Sequence, residues 1–225
     1  MAEADGRDGA QGSDSSQAAP LDAEESSRAN LYALCASLLL HSPDGALLRF
    51  LSEATPETAT PLGNPLHDAL GKLAAATGIT PPDVIRDEFD ALFISTGTPV
   101  INPYASVYLT GFMNGRPLTL LRAELAQFGL GRVAGRGEAE DHLGVLCEIM
   151  RVLIGSEHLR QPLWRQRAFF FRHIHPWHAL CLSQIRQTAG ATFYGCVAEF
   201  IHTFLDIEAQ AFSIDQPARQ AGETS

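Results

Sequence analysis

The chain is short of positive charge: 16 Lys and Arg stand against 26 Asp and Glu over 225 residues, a formal net charge of −10. No basic stripe is available to neutralise phosphates, which argues against a nucleic-acid partner. An acidic surface instead keeps a protein soluble and favours basic ligands. Paired cysteines are missing too. Cys35, Cys147, Cys181 and Cys196 include no pair separated by two residues, so neither a CxxC redox pair nor a zinc ribbon is encoded. Each lies among apolar residues at helical spacing, the setting of a buried reduced thiol in a reducing compartment. The longest apolar run, Leu31 to Leu40, is too short to span a bilayer. The N-terminus has neither the basic n-region nor the apolar h-region of a secretory signal. The expectation is a cytoplasmic protein with no stable membrane association.

Catalytic signatures are equally scarce. There is no G-x-x-x-x-G-K-[ST] loop, no G-x-S-x-G elbow and no HExxH. Gly129-Leu130-Gly131-Arg132-Val133-Ala134 matches the loose G-x-G-x-x-A dinucleotide pattern, but that motif works only between a strand and a helix. The residues before it, LRAELAQF, are helical, so Gly129 reads as the C′ residue of that helix.

Alternation of period two, the mark of a strand, is absent throughout, and no internal repeat is seen. Helical periodicity is everywhere. Leu31, Leu34, Cys35, Leu38 and Leu39 form one stripe, and Val84, Ile85, Glu88, Phe89, Leu92 and Phe93 lie on related faces. Further helices are expected near 46–53, 67–77, 119–128, 138–155, 161–172, 176–189 and 193–211. The fold class is therefore all-α, a single bundle of nine or ten helices over residues 25–213. Residues 1–24, rich in Ala, Gly, Ser, Asp and Glu, read as a disordered tail, and 214–225 as a frayed one.

Three segments carry candidate chemistry. Residues 94–108, ISTGTPVINPYASVY, form a long loop in a helical chain, and such loops often carry function. Pro103 restricts Asn102 to extended backbone, while Tyr104, Ser106 and Tyr108 offer hydroxyls. The second segment is GEAEDHLGVLCEIM, 137–150, in which Glu138, Glu140, Asp141 and His142 precede an apolar helix. Those carboxylates suit a helix start, and His142 opens the core-facing stripe. The third is HIHPWH, with His173, His175 and His178, where imidazoles could suit a metal. Pro176 starting a helix with His175 at its N-cap would instead splay the rings.

The ordered set FDALF (89–93), PYASVY (103–108), EAEDH (138–142) and HPW (175–177) resembles the TorD/DmsD/NarJ family of molybdoenzyme maturation chaperones. The likeness runs over about residues 28–210. It implies an all-helical fold, no catalytic reaction, and no cofactor or metal held by the chain itself. It implies as partner the catalytic subunit of a molybdenum-cofactor oxidoreductase, bound through its N-terminal leader or its body until the cofactor is inserted. The client-contact residues it implies are Phe89, Leu92, Phe93, Pro103, Tyr104, Ser106, Tyr108, Glu138, Asp141 and His142. Apolar side chains would take the leader's apolar segment and carboxylates its arginines. Many relatives carry a proline two residues before the Asp-His pair, where this chain has Ala139. Relatives occur as monomers and as dimers. Two other readings stand beside this one: a metal-dependent helical enzyme using Asp141, His142 and the His173–His178 cluster, and a helical interaction protein with an unrelated client.

Overall fold

The computed structural model describes residues 21–54, 63–94, 99–131 and 137–214. Outside them lie most of the expected N-terminal tail, the C-terminal tail after Ile214, the proline-rich segment 55–62, part of the 94–108 loop and the end of the GLGRVA motif. Among the described residues there are ten α-helices: α1 (Ala23–Leu40), α2 (Gly45–Glu53), α3 (Pro65–Ile79), α4 (Pro82–Phe93), α5 (Ala105–Thr110), α6 (Arg116–Gln127), α7 (Leu143–Gly155), α8 (Leu163–His173), α9 (His178–Gln187) and α10 (Phe193–Ile214). The only extended pairing among them is an isolated antiparallel bridge, Tyr104 with His142.

Local chemistry sets most boundaries. Helix α1 starts several residues ahead of its apolar stripe because Asp22 and Glu25 form a capping box. Asn64 accepts from the amides of Leu66 and His67, so α3 starts at Pro65, and it continues through Gly78. Gly129, at φ +74°, ends α6 in a Schellman motif. Its amide reaches the carbonyl of Ala126, and that of Leu130 reaches Leu125. The nucleotide-like GLG is thus a helix stop, as its surroundings imply. Several boundaries differ from the sequence reading: α6 starts at Arg116 rather than 119, α5 begins inside the expected 94–108 loop, and two more lie in the candidate segments. Helix α7 begins at Leu143 with His142 as N-cap, and α9 begins at His178 with Trp177 as N-cap. In the second case Trp177 Nε1 donates to the His173 carbonyl at 2.7 Å, which holds residues 174–177 in a turn between the two helices.

The core is built on α1, α7 and α10. Tyr32 of α1 meets Phe204 of α10 edge-on, with ring centroids 4.8 Å apart. Phe169, Phe170, Trp177, Phe193, Tyr194 and Phe200 are fully buried in the same core. Helices α1 and α7 approach closely at Gly144, where a Cβ would lie 2.8 Å from Leu40 Cγ and 3.1 Å from Leu39 Cβ. Cys35, Cys147 and Cys181 are buried free thiols, and Cys196 is a partly buried one. Burial pushes the Cys35 thiol well above its usual pKa, with the Cys147 thiol beside it acting in the same direction. These are structural thiols.

One polar knot lies inside this apolar assembly. Glu208 of α10 receives Arg28 Nε at 2.9 Å, Arg28 Nη2 at 2.8 Å and the Tyr32 hydroxyl at 3.0 Å. Arg28 Nη1 also donates to Gln166 of α8 at 3.2 Å. The bidentate geometry is the strong form of a guanidinium–carboxylate pair. It ties three helices together near their ends. Removing the carboxylate strands a guanidinium and a buried phenol, so Glu208→Ala is expected to cost about 3–5 kcal/mol. Glu208→Gln, which keeps an acceptor, should cost clearly less. Urea unfolding of both variants checks the order.

Candidate functional site

The loop that follows α4 is held by its main chain. The Ile101 amide donates to the Leu92 carbonyl at 3.0 Å, and the Tyr104 amide to the Asn102 carbonyl at 2.8 Å across Pro103. Two further bonds join this loop to the start of α7. Ala105 N donates to Asp141 O at 2.9 Å, and Leu143 N to Pro103 O at 2.8 Å. PYASVY and EDH, 35 residues apart in the chain, are thus one structural unit.

Each member of the Asp-His pair caps a helix, and the two helices differ. The N-cap of α5, Tyr104, provides no side-chain acceptor of its own. Asp141 supplies one from across the bridge: its Oδ2 accepts from Ser106 N at 2.9 Å. His142 caps its own helix, with Nδ1 accepting from Gly144 N at 3.0 Å. That bond needs a lone pair on Nδ1, hence a neutral ring. Burial supplies it, pushing the His142 pKa down to about 4 against the opposing pull of Glu138 and Asp141. The Tyr104 ring stands edge-on to His142 at 5.0 Å, and its hydroxyl donates to Glu138. Burial, with Glu138 next in weight, raises the Tyr104 pKa, so the phenol stays protonated.

These groups border a cleft of about 130 Å³ between the C-terminal ends of α1 and α4, residues 99–104, Met113 and the start of α7. Six expected contact residues line it: Phe89, Phe93, Pro103, Tyr104, Glu138 and His142. Four do not. Leu92 is buried in the core. Ser106 is buried, its amide held by Asp141. Tyr108 stacks on Trp177 at 5.4 Å and donates to Gln184. Asp141 faces a second groove, about 330 Å³, lined by Ala105, Leu109, Arg116, Leu120, Leu146, Arg172 and His173 among others. The adjacent carboxylate and imidazole therefore serve opposite sides of the bridge.

Leu39, Leu40, Ile94, Ile101, Asn102 and Met113 also line the cleft and escape the sequence reading. Only the triple leucine closing α1 signals its share, since nothing local says that this end meets the loop. Of this lining, Ile94 and Met113 are exposed apolar side chains, a grouping of the kind that marks binding sites.

The expected histidine cluster does not form a metal centre with Asp141 and His142. His173 Nε2 is 2.9 Å from Glu124 Oε2, which Arg172 also contacts, and His175 packs against the Phe171 ring. Among the described residues, none of Asp141, His142, His173 and His175 belongs to a group of three ligating side chains.

Neutral His142 makes stability depend on pH. An ordinary imidazole titrates near 6.5, the folded one at about 4. Between these values the unfolded chain holds a proton that the fold refuses, so stability falls as pH drops through the window. The penalty is absent above pH 6.5, complete below pH 4 and about 3 kcal/mol in all. His173 and His178, also lowered chiefly by burial, add in the same direction. His142→Asn keeps a cap acceptor but cannot titrate. Urea unfolding between pH 7.5 and 4.5 should show a shallower pH slope for this variant than for the parent, about one proton less at the midpoint of the window.

Comparison with known proteins agrees with this architecture. The family model described as nitrate reductase delta subunit matches residues 59–183. The chaperone protein TorD of Aeromonas salmonicida is 25% identical over 185 residues, covering 76% of this chain and 79% of that one. TorD of Vibrio parahaemolyticus is 24% identical over 162 residues, covering 68% and 74%. A crystal structure described as a redox enzyme maturation protein from Archaeoglobus fulgidus superposes with a TM-score of 0.51 at 17% identity, covering 78% of this chain and 93% of that one, and shares the fold. With its helices, its bridged loop and more than half its length matching one family model, the chain belongs to the nitrate reductase delta subunit family, the TorD/DmsD/NarJ group of redox-enzyme maturation chaperones.

Proposed function

We propose that the protein acts in the cytoplasm on the apo form of a molybdenum-cofactor oxidoreductase, holding the N-terminal leader of its catalytic subunit until the cofactor is in place. The observation that carries this reading is the cleft between α1, α4 and the bridged loop. Its lining combines apolar side chains, among them Phe89, Phe93 and the exposed Ile94 and Met113, with the polar groups of Asn102, Tyr104, His142 and an exposed Glu138. A leader has the matching chemistry, basic residues followed by an apolar segment. The cleft admits a side chain or two and no folded element, so the leader would anchor through individual apolar residues. The net charge of −10 favours approach of a basic segment. The larger groove is a poorer place for leader arginines, because Arg116 and Arg172 line it.

In this reading the ten expected contact residues divide by task. Phe89, Phe93, Pro103, Tyr104 and Glu138 meet the leader. His142 closes the base of the cleft while capping α7. Leu92, Ser106, Tyr108 and Asp141 hold the loop and α5 in position without touching the peptide.

Fluorescence anisotropy with a labelled leader peptide of the client tests the assignment. Replacing the peptide's arginines by glutamine, or Glu138 by Gln, is expected to weaken binding about fivefold, the size of one exposed charge-assisted contact. Ile94→Asp, at an exposed position, should weaken it more without unfolding the protein. Equal affinity for peptides with and without arginines, or no binding of either, removes leader recognition from the function.

Asp141 gives a second test. Asp141→Asn retains an oxygen for the Ser106 amide and is expected to lose at most about 1 kcal/mol of stability. Asp141→Ala loses the cap and leaves a buried donor unpaired, at a cost of about 1–3 kcal/mol. Both should keep leader affinity within about twofold wherever the protein remains folded. A folded Asp141→Asn protein that no longer binds leader would make Asp141 a contact residue instead.

A further inference from the structure

The α9–α10 seam carries a group of side chains with no part in the cleft. His178, the first residue of α9, is almost fully buried, and its Nδ1 lies 3.2 Å from the His175 carbonyl. A carbonyl can only accept, so Nδ1 bears the hydrogen and Nε2 carries the lone pair. That Nε2 is buried and has no hydrogen-bond partner. It faces the Asp206 carboxylate, 3.7 Å from Oδ1. One turn earlier on α10, His202 presents Nε2 at 3.6 Å from Asp206 Oδ2. Ligating atoms of all three residues lie within 4.8 Å of one another.

These separations are too long for hydrogen bonds, which close at about 2.7–3.2 Å. In the neutral ring, an imidazole lone pair therefore faces the Asp206 carboxylate outside hydrogen-bonding distance. Around a tetrahedral cation with bonds of about 2.0–2.1 Å, neighbouring ligand atoms sit about 3.3–3.4 Å apart. Here the imidazole-to-carboxylate separations are 3.7 and 3.6 Å and all three groups lie within 4.8 Å, so a small inward shift of the partly exposed His202 and Asp206 side chains closes the set. The Nδ1–H to carbonyl bond on His178 is the outer contact that orients a ligating imidazole. His202 and Asp206, at i and i+4, lie on one face of α10 and are partly open to solvent, which leaves an entry path.

We propose that His178, His202 and Asp206 form a site for a divalent transition cation of the zinc type, with a fourth position open to water. The donor set of two imidazoles and one carboxylate suits Zn²⁺, and Ni²⁺ or Cu²⁺ less selectively. The ion would join the N-terminus of α9 to the middle of α10, a cross-link independent of leader binding. Burial lowers the His178 pKa, which keeps its nitrogen free for metal near neutral pH. This differs from the site suggested by HIHPWH, because two of its three ligands come from α10.

The test is titration of chelator-stripped full-length protein with Zn²⁺ against a chromophoric competitor, alongside thermal unfolding. One Zn²⁺ per chain with Kd below about 10 μM is expected, with a rise in Tm on binding. Asp206→Asn and His202→Gln, at partly exposed positions, should retain the fold and weaken Zn²⁺ about tenfold and about a hundredfold. His175→Ala should leave affinity unchanged. Absence of binding tighter than about 10 μM at neutral pH would overturn the proposal. So would a zinc affinity that neither Asp206→Asn nor His202→Gln alters, since the ion would then sit elsewhere.

Discussion

Two main-chain hydrogen bonds between residues 103–105 and 141–143 hold together what the rest of the site requires. They bring a loop with few internal bonds against the start of a buried helix. Asp141 then reaches the amides of α5, and Tyr104 reaches His142 and Glu138. Without the bridge, α5 would be a six-residue helix with no side-chain cap, far below the length at which a helix persists alone. The cleft would also lose the wall formed by Pro103 and Tyr104. Backbone pairing suits this task because it is indifferent to side-chain identity. It leaves the side chains of Asp141 and His142 for the two helix caps, and those of Pro103 and Tyr104 for the cleft wall.

The helices were legible because each carries its own apolar stripe, and some boundaries were legible because their stop or start chemistry is local. Gly129 is the clearest instance: the residues just before it decide between a nucleotide loop and a helix end. What escaped the sequence was every contact whose partner lies far along the chain. Asp141 caps α5 across 35 residues. Glu88, read as part of a helical face, accepts from the amides of Phe193 and Tyr194 at the start of α10, 105 and 106 residues away. The sequence marks Asp141 as a helix-start carboxylate and Glu88 as part of a helical face, but names the distant amides of neither. The candidate site was therefore half legible. Its loop and acidic segment stood out by composition, but that Asp141 and His142 face opposite sides of the bridge depends on a tertiary turn that no local pattern encodes.

The histidines show how little residue type alone decides. His142 is neutral and caps a helix, His173 shares Glu124 with Arg172, and His175 packs on phenylalanines. The buried Nε2 of His178 faces a carboxylate without a hydrogen bond. Burial is the main influence on three of them, lowering the pKa of His142, His173 and His178 alike. The neighbours differ, and they assign the tasks. A cluster that reads as one motif in sequence is spread over two helix ends and a turn.

Gly144 gives the cleft its depth from behind. The side chain that position 144 lacks would occupy space now filled by Leu39 and Leu40, and those two leucines are the cleft's inner wall. Any larger residue there would push that wall into the cleft. The cavity is therefore dimensioned by a residue that does not line it, and its size follows from how closely two buried helices touch.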